Sequence, residues 1–268
     1  MLIDTHAHLN FEAYNKDRDQ VIARCQEREM AVINVGAQFE TSRIAIELAD
    51  NYGLLYASVG LHPIHVFDEE FNFSDYQGLI REKVVAIGET GFDFYHPTFG
   101  RAGAKKNSIE EIIKKQEEVF LKQIKLAQDN DLALICHGRN GIEGKEVYLE
   151  ILRILKTKGV TRAVFHCYGK DLETAKKIVE QGYYLGIDGP VTFNKKAEEL
   201  QKIAKIIPLD KILIETDCPY LTPEPFRGKR NEPIYVEYVA EKIAELKNIS
   251  KEEVIKTTWQ NAKNLFRL

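Results

Sequence analysis

The chain has 268 residues, of which 44% are hydrophobic and 29% are charged, and its formal net charge at pH 7 is −4. This length supplies a sizeable core and fits either one barrel domain or two smaller domains. The small negative net charge excludes a positive electrostatic potential over the whole surface. A polyanionic partner such as nucleic acid would therefore have to be held by local positive charge or by metal.

The four cysteines show no CxxC pairing, in a chain that is neither small nor rich in cysteine. We therefore expect free thiols in a reducing compartment. The N-terminus lacks a basic segment followed by an apolar stretch, and no apolar run approaches the roughly 20 residues of a membrane helix. The sequence predicts a cytoplasmic protein without a membrane partner. It carries no oligomerisation signature, so a monomer is the default expectation.

Short apolar runs alternate with helical segments along the whole chain. The runs are rich in β-branched residues, as expected of strands buried on both faces of a parallel sheet. The count of eight favours a closed (β/α)8 TIM barrel, one domain over residues 1–268, rather than an open doubly wound sheet. The predicted strands are Leu2–His8, Ala31–Val35, Leu54–Val59, Val84–Gly88, Leu132–His137, Arg162–His166, Tyr183–Ile187 and Ile212–Thr216.

The segments between and after these runs have an apolar period of 3.6 residues, which predicts helices. Gly60–Lys83 is irregular, and no full helix is assigned to it. Ser250 and Glu253 have the spacing of a capping box at the start of the last helix, which runs through Phe266. The other predicted helices are Asp17–Glu29, Thr41–Asn51, Glu110–Asn130, Lys145–Lys158, Leu172–Gln181, Lys195–Ile206 and Glu232–Leu246.

Metal-ligand residue types stand at the ends of five predicted strands. The carboxyl ends of all strands of a parallel barrel meet at one face, where catalytic residues sit. One strand-end histidine is more often a hydrogen-bonded rim residue, but a set on five strands suggests convergence on one site. The set comprises His6, His8, Glu89, His137, His166 and Asp217.

His6 and His8 are two residues apart on the first strand, so both imidazoles point to the same side and can reach one ion. An HxH pair alone is a weak signal that also occurs by chance. Asp4, two residues before His6, points to the same side of the strand at a deeper level, where it could orient a ligand histidine.

Two carboxylates are the candidate catalytic groups. Glu89 directly follows a buried run, where an acid costs several kcal/mol unless it is solvated, paired or metal-bound. Between two ions it could bridge them, one oxygen to each. Asp217 ends the last strand and could both ligate a metal and take a proton from the attacking water. For Glu215, two residues earlier, a deep polar contact with another strand is the favoured interpretation.

Cys136 and Cys167 adjoin the histidines of the fifth and sixth strands. Because neighbours along a strand point to opposite sides, their thiols should face the helices. We interpret both as small buried apolar residues and not as ligands.

Several residues near the strand ends are candidate substrate contacts. Planar guanidinium groups suit phosphate oxygens, although the later arginines would also be at home in a solvated loop. His96–Ser108 is a long polar segment close to Glu89 and is a candidate lid. The predicted substrate-binding residues are His62, Arg139, Arg227 and Arg230.

Six such ligands suffice for two divalent ions that share one group. Two ions about 3.5–4 Å apart suit in-line displacement at phosphorus. A single-ion amide hydrolase would use a similar set, so the ligands alone leave phosphoester and amide substrates open. Imidazole ligands favour zinc, manganese or iron over magnesium.

The chain resembles the TatD family of metal-dependent deoxyribonucleases over essentially its whole length. The similarity lies in the order and spacing of DTHAHL, GLHP, AIGETGFD, QEEVFLKQIKLA, ICHGR, FHCY, LIETDCPYL, RGKRNEP and NAKNLF. The resemblance implies a barrel of the amidohydrolase superfamily that hydrolyses DNA phosphodiesters, typically as an exonuclease. The chain departs from the family pattern at Asn140 and Gly141, where the family commonly has an acidic residue and an alanine. Its His96–Ser108 segment is also longer than usual.

The resemblance also implies how the ligands are shared. His6, His8, Glu89 and Asp217 would hold one ion, and Glu89, His137 and His166 would hold the other. We expect magnesium or manganese to support activity, and zinc or another transition metal to be present in the purified protein.

Two other classes of protein compete with the nuclease interpretation. An amidohydrolase-type enzyme could cleave a small cyclic amide or ester; many of those use a carboxylated bridging lysine, and no strand-end lysine takes that role here. A barrel that binds metal and nucleic acid without turnover is the second. The complete ligand set argues against it, because a degenerate relative would be expected to have lost a ligand.

Overall fold

A computed structural model describes residues 1–95, 107–141, 144–194 and 197–268. Eight apolar runs form parallel strands, each hydrogen-bonded to the next in chain order. The predicted (β/α)8 barrel is confirmed. The strands are β1 Ile3–Ala7, β2 Ala31–Val35, β3 Leu55–Val59, β4 Val84–Asp93, β5 Ala133–Arg139, β6 Ala163–Phe165, β7 Tyr184–Ile187 and β8 Ile212–Ile214.

The first and last strands close the barrel through main-chain and side-chain hydrogen bonds. The Thr5 hydroxyl donates to the carbonyl of Ile214 at 3.1 Å. Asp4 accepts from the amide of Thr216 at 2.9 Å, between residues 212 positions apart in the chain. Both side chains are buried, so these bonds satisfy polar groups that would otherwise be costly at the seam.

The helices lie close to the predicted segments, with ends that differ by a few residues. The exception is the connection between β3 and β4, which contains one short helix where none was assigned. The described helices are α1 Arg18–Glu27, α2 Phe39–Asn51, α3 Phe73–Gly78, α4 Ile109–Asp129, α5 Val147–Thr157, α6 Leu172–Glu180, α7 Glu198–Ile206, α8 Val236–Lys247 and α9 Lys251–Phe266. Among them, none combines the length and apolarity needed to cross a bilayer.

Strands β4 and β5 extend beyond their predicted ends. The register between them shifts between Ile87 and Thr90, and the pairing then continues as far as Asp93 and Arg139. Glu89 therefore lies at an irregularity inside β4 and not past its end. Such irregularities re-aim a side chain and are common beside active sites.

Helix α4 ties the site-bearing loops to the barrel with two buried glutamines. Gln123 donates to the carbonyl of Leu61 at 2.9 Å and to the hydroxyl of Thr90 at 2.7 Å. Gln116 donates to the carbonyls of Pro63 and Asp93. These bonds fix the main chain next to His62 and Glu89, and sequence reasoning missed them. The sequence feature that could have revealed them is the pair Gln116 and Gln123, seven residues apart on an apolar helix face.

Candidate metal centre

The six predicted ligands converge around Glu89, which is 4% exposed. Its Oε2 lies 3.4 Å from His6 Nε2 and 3.8 Å from His8 Nε2. Its Oε1 lies 2.6 Å from His137 Nδ1 and 2.7 Å from His166 Nε2. Each carboxylate oxygen therefore faces its own pair of imidazoles.

Asp217 completes the first of these two groups. Its Oδ1 lies 3.5 Å from His8 Nε2 and 3.8 Å from His6 Nε2. The residue has a positive φ of 55°, a conformation in which a non-glycine side chain is held at some cost. In this conformation its carboxylate faces the imidazoles of His6 and His8.

The spacing of the nitrogens fits divalent cations. His6 Nε2 and His8 Nε2 are 3.2 Å apart, and His137 Nδ1 and His166 Nε2 are 3.3 Å apart. Ligands that bind zinc at 2.0–2.1 Å in a tetrahedron are roughly 3.3–3.4 Å from each other. Imidazole with carboxylate is also a donor set that suits zinc, manganese or iron.

Partners outside the cluster orient two of the imidazoles. His8 Nδ1 lies 2.8 Å from the carbonyl of Val35, which can only accept, so Nδ1 carries the hydrogen and the Nε2 lone pair faces the cluster. His137 Nε2 lies 3.1 Å from Asp93 Oδ2, and its Nδ1 faces Glu89. A carboxylate behind a ligand imidazole fixes its orientation and raises its basicity.

The electrostatics favour positive charge at this place. Burial by itself would raise the pKa of Glu89, but His166, His62 and His137 hold it well below its usual range. Burial would lower the pKa of His137, yet hydrogen bonds to Asp93 and Glu89 raise it to about 9. The ionised carboxylates thus attract a proton to the imidazole, and a cation would compete for the same position.

Replacing Asp93 with asparagine is expected to weaken divalent-metal affinity by about 10- to 100-fold, because the Nε2 atom of His137 loses its anionic partner. Turnover at saturating metal should fall much less. The measurement is a metal titration of the chelator-treated protein, with activity followed at each metal concentration.

Asp68→Asn is the matched control, since Asp68 pairs with His65 at 3.0 Å outside the Glu89 cluster. It should leave metal affinity unchanged. Equal affinity losses in both variants would contradict the role given to Asp93.

The cluster forms the floor of an open cavity of about 680 Å³. His62 is part of its wall, with Nε2 at 3.2 Å from Glu89 Oε1. His62 Nδ1 accepts from the amide of Ile64, so Nε2 carries the hydrogen and donates to Glu89. Burial lowers the pKa of His62 to about 4, which keeps it neutral. This tautomer makes His62 a donor towards the site.

The structure brings one of the three predicted substrate-binding arginines to the cavity. Arg139 lines it, with its guanidinium carbon 4.0 Å from the centre of the Tyr95 ring. Arg227 lies instead over Phe193, outside the cavity wall.

Arg230 is also outside the cavity wall. Its two terminal nitrogens bind Asp17 at 2.8 and 2.6 Å, and its guanidinium carbon lies 4.5 Å from the ring centre of Tyr14. Both terminal nitrogens of its guanidinium group are therefore already paired with a carboxylate. Arg230 was chosen for its proximity in sequence to Asp217, but that proximity does not determine where the intervening loop places the side chain.

Two further expectations have different outcomes. Glu215 makes the predicted deep polar contact, accepting from the amide of Cys167 at 2.6 Å. Among the described residues no imidazole contacts the Asp4 carboxylate, whose oxygens bind the amide and hydroxyl of Thr216 and the amide of His6. The expectation that it orients a ligand ring is wrong, because the seam with β8 uses its oxygens.

The two cysteines beside the candidate ligands His137 and His166 behave differently. Cys136 is fully buried in the core, as predicted. Cys167 lines the cavity, so the prediction that it faces the helices is wrong. Strand β6 ends at Phe165 and Cys167 has a φ of 44°, so strand alternation no longer applies there.

The two residues that depart from the family pattern, Asn140 and Gly141, have defined structural roles. A Cβ atom on Gly141 would lie 2.3 Å from the carbonyl oxygen of Phe94, so only glycine permits this approach. Asn140 accepts from the amide of Val147, the first residue of α5, at 2.9 Å. Most of the candidate lid, His96–Ser108, lies outside the described residues, which exclude 96–106.

The sequence and the fold were compared with those of known proteins. A family model described as TatD related DNase matches residues 3–267. The metal-dependent hydrolase YabD of Bacillus subtilis is 42% identical over the full length of both chains. YcfH of Escherichia coli, also a metal-dependent hydrolase, is 34% identical over 100% of this chain and 96% of its own.

A solved structure agrees with these sequence matches. YJJV, a TatD homologue from Escherichia coli, superposes with a TM-score of 0.86 at 26% identity, covering 100% of this chain and 98% of its own. The family model spans nearly the whole chain, and the likeness in sequence and in fold is full-length. The chain therefore belongs to the TatD-related DNase family of metal-dependent hydrolases.

Proposed function

We propose that this protein hydrolyses the phosphodiester bonds of DNA, working inward from an end, with two divalent cations bound around Glu89. The observation that carries the proposal is the division of Glu89 between two sets of imidazoles, with Oε2 facing His6 and His8 and Oε1 facing His137 and His166. Asp217 would complete the first set.

Two cations in such a centre activate water as a nucleophile and neutralise charge on a phosphodiester. The chain's own groups would do the rest. Asp217 is 15% exposed to the cavity, and His8, His6 and His166 hold its pKa below the usual range despite burial. Its carboxylate is therefore ionised and placed to accept a proton from the attacking water. His62 would keep the Glu89 carboxylate in position by hydrogen bonding.

The surroundings of the centre suit a nucleic-acid strand. Arg139 presents an exposed guanidinium at the cavity wall, which suits a phosphate. Tyr220, also part of the wall, is 55% exposed. Exposed aromatic rings beside basic groups are a common feature of proteins that bind single strands. The family model's description as a DNase supports the same substrate class.

Hydrolysis of a small cyclic amide or ester is the competing proposal. Among the described residues that line the cavity, none is a lysine. A bridging position filled by Glu89 differs from the carboxylated lysine expected of many such amidohydrolases. The phosphodiester proposal is therefore favoured.

The test is cleavage of end-labelled single-stranded and duplex DNA by chelator-treated protein, with magnesium, manganese or zinc added back. A ladder that shortens from one end and disappears with chelator would support the proposal and give the polarity. A fully metal-loaded protein that leaves DNA intact but hydrolyses lactones or cyclic amides would overturn it.

Replacing Arg139 with alanine is expected to raise the KM for DNA several-fold and to reduce the slope of log affinity against log salt by about one. The reason is the loss of one phosphate contact at the cavity wall. The measurement is DNA binding at several salt concentrations in the presence of a non-catalytic metal.

Arg230→Ala is the matched control, because Arg230 is engaged by Asp17 outside the cavity wall. It should leave the salt slope unchanged and lower stability modestly. If Arg230→Ala and not Arg139→Ala changed the slope, the assignment of the phosphate contact to Arg139 would be wrong.

A further inference from the structure

A third cluster of ligand-type side chains lies beside the Glu89 centre. One ligand atom each of Cys167, Asp188 and Asp217 lies within 4.8 Å of the others. Asp188 directly follows β7, and Cys167 follows His166. The cluster therefore uses three neighbouring strand ends at the face where the candidate metal centre sits.

Asp188 is the feature that the proposed mechanism leaves unexplained. The residue is 1% exposed, and its Oδ2 is buried without a hydrogen-bond partner. An unpaired carboxylate oxygen in such a place is costly, and the usual remedies are a partner or a metal ion. Its partners within 4.8 Å in this cluster are the thiol of Cys167 and a carboxylate oxygen of Asp217.

Backbone conformation points the same way. Among the described residues, seven non-glycine residues have positive φ, and four of these follow helix ends. The other three are Cys167, Asp217 and Leu221, and all of them line the cavity. Two of the three cluster members are thus held in an uncommon conformation that places their side chains at the cavity.

We propose that Cys167, Asp188 and Asp217 form a third cation site, selective for thiophilic divalent ions such as Zn²⁺, Co²⁺ or Cd²⁺. A thiolate with carboxylates is a donor set that prefers such ions to Mg²⁺. Asp217 Oδ1 faces His6 and His8, so its second oxygen would serve this site, and a cation bound here would compete with the proton that this carboxylate accepts in the proposed reaction. Cys167 and Asp217 line the cavity, so a cation has an entry path.

The proposal is independent of the substrate. It concerns the metal content of the protein and predicts a thiolate ligand, which the Glu89 centre does not use. Binding of Co²⁺ alone to the chelator-treated protein is therefore the appropriate probe, because a thiolate–Co²⁺ bond gives a near-ultraviolet charge-transfer band.

We expect this band in the wild-type protein, together with a Co²⁺ stoichiometry one higher than that of the Glu89 centre. Cys167→Ala should abolish the band and remove one bound Co²⁺, and Asp188→Asn should weaken both. Cys25→Ala is the matched control, since Cys25 is buried in the core, away from the cavity wall. It should keep the band.

Three results would overturn the proposal: no band in the wild-type protein, a band that persists in Cys167→Ala, or a band without the additional ion. The last would make Cys167 a ligand of the Glu89 centre. A second experiment uses only the wild-type protein, so it does not depend on whether the variants fold. Excess Cd²⁺ should slow alkylation of Cys167, located by mass spectrometry, and an unchanged rate would also refute the third site.

Discussion

Glu89→Gln is expected to lower kcat by about 10³-fold or more, the equivalent of roughly 4 kcal/mol of lost transition-state stabilisation. The amide removes the negative charge and replaces one of the two oxygens that face the imidazole pairs. An amide NH₂ group is not a cation ligand, so the substituted side chain would hold a cation at no more than one of the two proposed positions. Turnover of an end-labelled oligonucleotide and metal content per chain measure the two effects.

Glu82→Gln provides the matched control, since Glu82 is an exposed acid shortly before the same strand. It should leave both turnover and metal content at wild-type values. Wild-type turnover in Glu89→Gln would contradict the two-cation arrangement. A loss of metal without a loss of turnover would separate metal binding from catalysis.

Gly91→Ala is expected to destabilise the fold by about 3 kcal/mol or more and to reduce metal binding. Gly91 has a φ of 130°, and an added Cβ would lie 2.3 Å from the carbonyl oxygen of His137. The backbone that carries this ligand would have to move. A loss of that size corresponds to a fall in Tm of roughly 6–12 °C for a chain of this length, measurable by thermal unfolding.

Gly78→Ala tests whether loss of any glycine has this effect. Gly78 is the last residue of α3, and a Cβ there would meet no atom within 4 Å. The substitution should be neutral or slightly stabilising, because alanine restricts the unfolded chain. Equal destabilisation by both substitutions would show that close packing against His137 is not the cause.

The barrel and the convergence of its strand ends could be predicted from sequence because both depend on short-range patterns. The apolar runs gave strand positions within a few residues, and the parallel fold then brought His6, Glu89 and Asp217 to one face. The continuation of β4 through Thr90 to Asp93 could not be predicted in this way. It depends on pairing with β5 across a register shift, and Thr90–Asp93 is not a β-branched apolar run like those of the other strands.

Differences at individual residues have the same origin. Cys167 was assigned by strand alternation, which ends with β6 at Phe165. Arg230 was chosen as a substrate contact for its nearness in sequence to Asp217, and the loop places it against Asp17, beside α1. Partners such as Asp93 for His137 arise from contacts between strands. A single sequence without co-varying positions does not reveal them.

The pairing of β1 with β8 has a consequence for biosynthesis. The candidate metal position that uses His6 and His8 also uses Asp217, so it requires both ends of the barrel sequence to be present together. On the ribosome, the N-terminal histidines emerge long before their carboxylate partner, and the nascent chain cannot assemble this position until β8 has left the exit tunnel. Acquisition of the ion at this position should therefore be a late event that follows synthesis of most of the chain. A truncation ending before Asp217 should be unable to retain the ion, however much of its remaining structure has formed.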